Sequence, residues 1–180
     1  MKTYNPHRSI YRLQKAYDNT ANHANVNPDI HIYLDGSGSL SDAEYHMPMM
    51  AVCFNIAKTH NVDIIFHSFS HYLEENETRI SVKDKTLDEF KTIIRNTAKT
   101  MGGTEFELVW RYILEKDERK NEFSIIMSDM AYFPPDRQYN IENLYYLPIG
   151  PLSEWLDRSI ADFIDAMDKH GMPIKDKMLI

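Results

Sequence analysis

The sequence predicts an α/β fold: a doubly wound, mostly parallel sheet covered on both faces, three α/β/α layers in all, with one antiparallel edge strand contributed by a hairpin. Three observations carry this. Short runs rich in Ile, Val and aromatic residues alternate with longer stretches whose apolar residues recur at helical spacing. Such alternation produces parallel strands joined by helical crossovers. The run Ile30-His31-Ile32-Tyr33-Leu34 empties into Asp35-Gly36-Ser37-Gly38-Ser39, an oxygen-rich turn at the carboxyl end of a buried strand, where open α/β sheets bind ligands.

In order, Ile10, Leu13 and Tyr17 recur at helical spacing and predict an amphipathic helix over Ser9 to Asn19, packed on the edge of the domain. Asn25 to Asp29 is a loop by its turn residues, and the first strand follows. Ser41-Asp42-Ala43-Glu44 has the form of a capping box. A helix running unbroken from Asp42 would place Pro48 in its interior, costing about 3 kcal/mol. The main helix is therefore expected to have Pro48 near its start, and its residues to Ala57 are apolar nearly all round, as in a deeply buried helix. Cys53 falls mid-helix as a small core residue.

Asn61 to Ser70 reads as the second strand, and Thr78 to Val82 as its antiparallel return. Thr86-Leu87-Asp88-Glu89 is a second capping box, opening a helix that turns Leu87, Phe90, Ile93 and Ile94 inward. Met101 to Thr104 breaks the chain before a further helix with Phe106, Val109, Trp110, Ile113 and Leu114 on its face, and the charged run Glu115 to Glu122 is a solvated turn. Phe123 to Ser128 is a central strand with Asp129 directly behind it, and Leu144 to Ile149 another. Ser153 caps a last helix, in which Trp155, Leu156, Ile160, Phe163, Ile164 and Met167 lie at helical spacing, and Gly171 and Pro173 end it. The organisation expected is an extension over 1–27, one domain over 28–171 and a tail over 172–180.

At 180 residues the chain is long enough to bury a sizeable core, and 43% hydrophobic with 26% charged residues is an ordinary globular balance. The net charge of −7 speaks against a nucleic-acid or anionic-membrane surface. Cys53 is the single cysteine, so no internal disulfide forms. The opening residues lack the apolar core of a signal peptide, and no run approaches membrane-spanning length. The expected setting is the cytoplasm, or the host's cytoplasm if the protein is phage-encoded.

Three segments converge on one sheet edge: Asp35-x-Ser37-x-Ser39 after the first strand, Gly102-Gly103-Thr104 before a helix, and Ser128-Asp129 at a strand end. A carboxylate with two hydroxyls suits a hard divalent cation such as Mg2+. The order and spacing resemble the von Willebrand factor A (vWA) domain family, a Rossmann-like α/β fold, and its metal-ion-dependent adhesion site (MIDAS). The family pattern is Asp-x-Ser-x-Ser, then a Thr often preceded by glycines, then an Asp at a later strand end. The resemblance runs from about Ile30 to His170. It implies Mg2+ (or Mn2+ or Ca2+) held by Asp35, Ser37, Ser39, Thr104 and Asp129, its shell completed by an Asp or Glu of a partner protein. The pattern departs at Ser128-Asp129-Met130, where many members have Thr-Asp-Gly. The loop Met130 to Asp136 is similar to intracellular bacterial and phage-type members, which often work beside AAA+ ATPases.

Gly103, Glu105, His46 and Met130 flank the set as partner-contacting positions. His67 and His71, on one strand, would stand about 13 Å apart at ~3.3 Å per residue and cannot share a zinc unless the chain turns sharply between them. Asp42 and Glu44 are helix-start charges. No Gly-x-Ser-x-Gly elbow and no phosphate-binding Gly-Lys-Ser/Thr loop occurs, so a binding module is expected rather than an enzyme. A metal-dependent hydrolase would need His46 or Glu105 as its base. A structural subunit of a phage particle or ATPase assembly, with an incidental metal, is the remaining alternative.

Overall fold

The computed structural model describes residues 6–38, 44–74, 76–99, 102–116, 122–131, 135, 137–174 and 176–179. The chain runs α1 (Pro6–Ala24), β1 (Ile30–Asp35), α2 (Met47–His60), β2 (Asp63–Phe69), β3 (Thr78–Ser81), α3 (Leu87–Thr97), α4 (Phe106–Glu115), β4 (Phe123–Ser128), β5 (Leu144–Pro148) and α5 (Glu154–Lys169). The strands form one sheet in the order β3-β2-β1-β4-β5. All neighbours are parallel except β3, which returns antiparallel along β2. This is the doubly wound, three-layer α/β fold with an antiparallel edge strand.

Alternation along the strands sorts their side chains into two cores. Ile30, Ile32, Leu34, Ile64, Phe66, Ile125 and Met127 face α1, α2 and α3. Tyr33, Phe69, Ile126 and Tyr146 face α4 and α5. A strand buried on both faces reads as a continuous apolar run, which is why β1 and β4 were so plain in the sequence. From β1 the chain first adds β2 on one side and later β4 on the other. The carboxyl ends of β1 and β4 therefore diverge at a switch point, where no crossover covers the crevice between them.

Pro48 occupies the first turn of α2, and the helix begins at Met47 without a side-chain cap. The capping box expected at Ser41–Glu44 falls mostly outside the described residues; Glu44 itself pairs with Arg95 of α3 through two contacts, at 2.5 and 2.9 Å. The box at Thr86–Glu89 forms reciprocally. α1 is longer than its spacing suggested and is rotated: Ser9, Leu13, Ala16, Tyr17, Thr20 and Ala21 are buried, while Ile10 lies outward at 41% exposure. Thr20 answers its own burial by donating to the Ala16 carbonyl at 3.0 Å. After α5, Gly171 takes φ +70° and the chain returns to the sheet edge. There Tyr146 N–H donates to Lys177 O at 2.9 Å, and Leu179 N–H to Tyr146 O at 2.8 Å. Among the described residues no helix is long and apolar enough to cross a membrane.

Candidate functional site

Asp35 ends β1 with its carboxylate turned into the switch-point crevice and only 2% exposed. Its Oδ1 accepts the Ser37 backbone N–H at 2.9 Å. Its Oδ2 accepts the Ser128 hydroxyl at 2.6 Å. The Thr104 hydroxyl lies 3.3 Å from both oxygens. Three chain segments, up to 93 residues apart, thus meet on one carboxylate.

The backbone holds each segment where it is. Gly36 passes directly beneath the loop after α3: a Cβ there would stand 2.3 Å from the Lys99 carbonyl oxygen. Gly36 N–H donates to Phe69 O at 2.8 Å, tying the turn to the end of β2. The glycine–threonine loop is tied to the same strand end, because Glu105 N–H donates to Ser70 O at 2.9 Å and the His71 ring meets the Gly102 carbonyl. Gly103 supplies φ +80° for the bend that delivers Thr104. Beyond β4, Asp129 Oδ1 accepts the Ala131 N–H at 3.1 Å, an Asx-type turn.

Met130 takes φ +65°, the left-handed conformation that glycine adopts freely and other residues at a cost of about 1–2 kcal/mol. Ser128 Oγ accepts the Met130 N–H at 3.1 Å while donating to Asp35, so the strained residue and the carboxylate share one hydroxyl. The Met130 side chain is 2% exposed and packs in the core beneath α5. This corrects its expected place at the partner-facing rim: it shapes the loop from within.

The electrostatics are those of an anion in a crevice short of positive charge. Burial, with Asp129 adding repulsion, pushes the Asp35 carboxyl up to about 6, against hydrogen bonds from Ser128 and Ser37 that favour ionisation. A nearby cation would reverse that penalty. Among the described residues no three His, Cys, Asp or Glu side chains gather into a metal-holding group. The donors here are instead two carboxylates with hydroxyls, an all-oxygen set that suits Mg2+, Mn2+ or Ca2+.

The other expected residues distribute as follows. Asp35, Ser37 and Thr104 are brought together by hydrogen bonds, and Asp129 acts on Asp35 through space. Ser39 lies outside the described residues, as do Ser41 and Asp42. Glu105 is exposed at the start of α4 and does not cap it. His46 opens α2; its Nε2 is buried with no hydrogen-bond partner among the described residues, and burial lowers its pKa. His67 is buried on β2, its ring stacked on Tyr33 at 4.7 Å, whereas His71 lies beyond the strand on Gly102; the two do not converge. Ser128 was missed as a participant. Its one sequence signal was its place beside Asp129, and nothing local distinguished it from other strand-end serines.

Fold and site define a doubly wound α/β domain with a buried acidic and hydroxyl cluster at its switch point. The chain matches no family model and no curated protein. Among solved structures it is similar to an aerotolerance-related membrane protein from Bacteroides fragilis NCTC 9343, crystallised with multiple mutations to serines. That match has 11% identity and a TM-score of 0.47, covering 68% of each chain. It is also similar to the conserved hypothetical protein BatB from Bacteroides thetaiotaomicron, at 9% identity and a TM-score of 0.46, covering 76% of this chain and 86% of that one.

Proposed function

We propose that the protein is a vWA-like binding module whose switch-point cluster holds a divalent cation and offers it to a partner's acidic side chain. The observation that supports this reading is the meeting of Ser37, Thr104 and Ser128 on the buried Asp35 carboxylate, with Asp129 close enough to repel it. Asp35, Ser37, Thr104 and Asp129 would hold the ion, Mg2+ first and Mn2+ or Ca2+ next, joined by Ser39 from the expected set. When bound, the ion supplies an electrophilic position that an Asp or Glu carboxylate can complete. The chain's own part is to keep neutral hydroxyls among the donors, so that the ion's charge is not cancelled.

The surroundings favour a protein partner. α5 opens directly beside the cluster: a Cβ on Gly150 would stand 3.9 Å from the Asp129 Cβ. The turn into it carries Leu152, 72% exposed, and its first turn carries Trp155, 47% exposed. Trp155 lies at helical spacing with the apolar residues of α5 but is turned outward, where tryptophan is a preferred anchor of interfaces. The partner class to test first is an AAA+ ATPase or another assembly component. The experiment is capture from the native host on immobilised protein, with Mg2+ or with chelator, using the parent and Asp35→Ala. A partner retained only by the parent with Mg2+ supports the reading. Equal capture in all arms, with Asp35→Ala folded, refutes it.

A further inference from the structure

The turn after β2 and the outer face of α4 leave a groove between them. The turn is folded tightly on itself: Ser70 N–H donates to Tyr72 O at 2.9 Å and Glu74 N–H to Ser68 O at 3.1 Å, with Leu73 bridged to Phe69. Glu105 N–H, donating to Ser70 O, fixes it against the start of α4. Opposite, Leu108, Arg111 and Tyr112 recur at helical spacing along one face of α4. The groove encloses about 290 Å3. That is at the lower limit of small-molecule sites and suits one large side chain.

Unlike the core beneath it, this lining is open. Tyr72 is 45% exposed, Leu73, Leu108 and Tyr112 are half-buried, and Arg111 is exposed. The charges at the rim offset one another. Arg111 stands 3.9 Å from Glu115, and Tyr112 is held between Glu77, 3.4 Å from its hydroxyl, and the Lys116 ammonium, 5.7 Å from its ring centroid. With a leucine on each wall, the groove suits an apolar group better than an ion.

Its position gives it a use. His71, at one end, meets the Gly102 carbonyl, and a Cβ on Gly103 would stand 3.5 Å from the His71 Cβ; Thr104 comes next. Leu108 and Tyr112 follow Thr104 by roughly 6 and 12 Å at helical rise. An extended peptide advances ~3.3 Å per residue, so one with a carboxylate at the cluster reaches the groove roughly two to four residues along. The groove lies on the β2 side of the cluster, and Trp155 on the β5 side.

We propose that the partner presents a two-point motif: an Asp or Glu at the cluster and, about three residues away on an extended segment, a large apolar side chain between Leu73 and Leu108. An aromatic one fits best, since Tyr72 and Arg111 can both lie against a ring. This inference rests on the cation-binding reading of the cluster.

The probes are acetyl-Gly-Gly-Asp-Gly-Gly-Phe-Gly-amide, the peptide of reversed order, and the same peptide with Gly in place of Phe. Each is titrated into the 15N-labelled full chain with Mg2+ or with chelator. The Gly peptide is expected to move the Ser37 and Thr104 amide signals in Mg2+ only. One of the two Phe peptides should bind roughly tenfold tighter and also move the signals of Leu73 and Leu108. Leu108→Gln should bring that peptide back to the affinity of the Gly peptide; where it fails to fold, Leu73→Gln decides. Phe peptides no tighter than the Gly peptide, or a gain that survives both substitutions, would overturn the groove assignment alone, because the Gly peptide still reports on the cluster. No Mg2+-dependent shift from any peptide would overturn the groove and the cluster reading together.

Discussion

Replacing Asp35 by asparagine makes the ion-free protein more stable. Because the folded-state pKa of Asp35 is raised to about 6, the folded chain holds its proton to higher pH than the unfolded chain does. Stability from this group is therefore fully present below about pH 4, is lost as pH rises toward about 6, and stays level above. At neutral pH the ionised carboxylate costs the fold about 3 kcal/mol, at ~1.4 kcal/mol per pH unit between its ordinary value and about 6. A neutral carboxamide removes that cost. Its carbonyl still accepts the Ser37 N–H, and its NH2 can donate to Ser128 Oγ. The Ser128 hydroxyl proton, now without its acceptor, returns about 1 kcal/mol of the gain. The net is about 2 kcal/mol, or roughly 4–8 °C in melting temperature for a chain of this size. The assay is thermal unfolding of parent and Asp35→Asn with chelator at pH 7.5 and pH 4. The advantage should be present at pH 7.5 and nearly gone at pH 4. A variant less stable than the parent at pH 7.5, or a difference independent of pH, would refute the reasoning.

Gly36→Ala pushes a methyl to within 2.3 Å of the Lys99 carbonyl oxygen; a loss of about 1–3 kcal/mol is expected in urea unfolding, together with weaker Mg2+ binding as the turn shifts. Met130→Gly relieves the strain of φ +65° but uncovers a buried side chain worth about 1.5–3 kcal/mol, so the variant should be less stable by about 1 kcal/mol with ion binding intact. Trp155→Ala removes an exposed anchor and should leave melting temperature and ion affinity unchanged while weakening metal-dependent capture of the partner several-fold, read on immobilised protein.

The frame of the fold was legible because its signals are local. β4 was read at its observed limits, Pro48 marked the first turn of α2, and Thr86-x-x-Glu89 announced a cap that forms as written. Legibility failed where tertiary packing decides between faces. Ile10 and Trp155 fit a helical apolar stripe yet point outward, while Ser9 and Thr20 are buried in their place, because small hydroxyl residues fit a close helix contact and can satisfy themselves locally. The cluster was foreseen as a set of oxygens in three segments, since residue type and strand-end position are written in the chain. The grip of Ser128 on Asp35 was not, for it depends on β1 and β4 lying side by side. The left-handed turn at Met130 was equally hidden, because methionine carries no signal for positive φ.

The claim on which most depends is that Asp35, Ser37, Thr104 and Asp129 take up a divalent cation together. Mn2+ titration of 15N-labelled protein tests it most directly, since the paramagnetic ion broadens the amide signals nearest to it. Gly36, Ser37, Gly103, Thr104 and Asp129 should broaden first, with Mg2+ competing the effect away and Asp35→Ala abolishing it. Broadening centred elsewhere, or none in a folded protein, would contradict it.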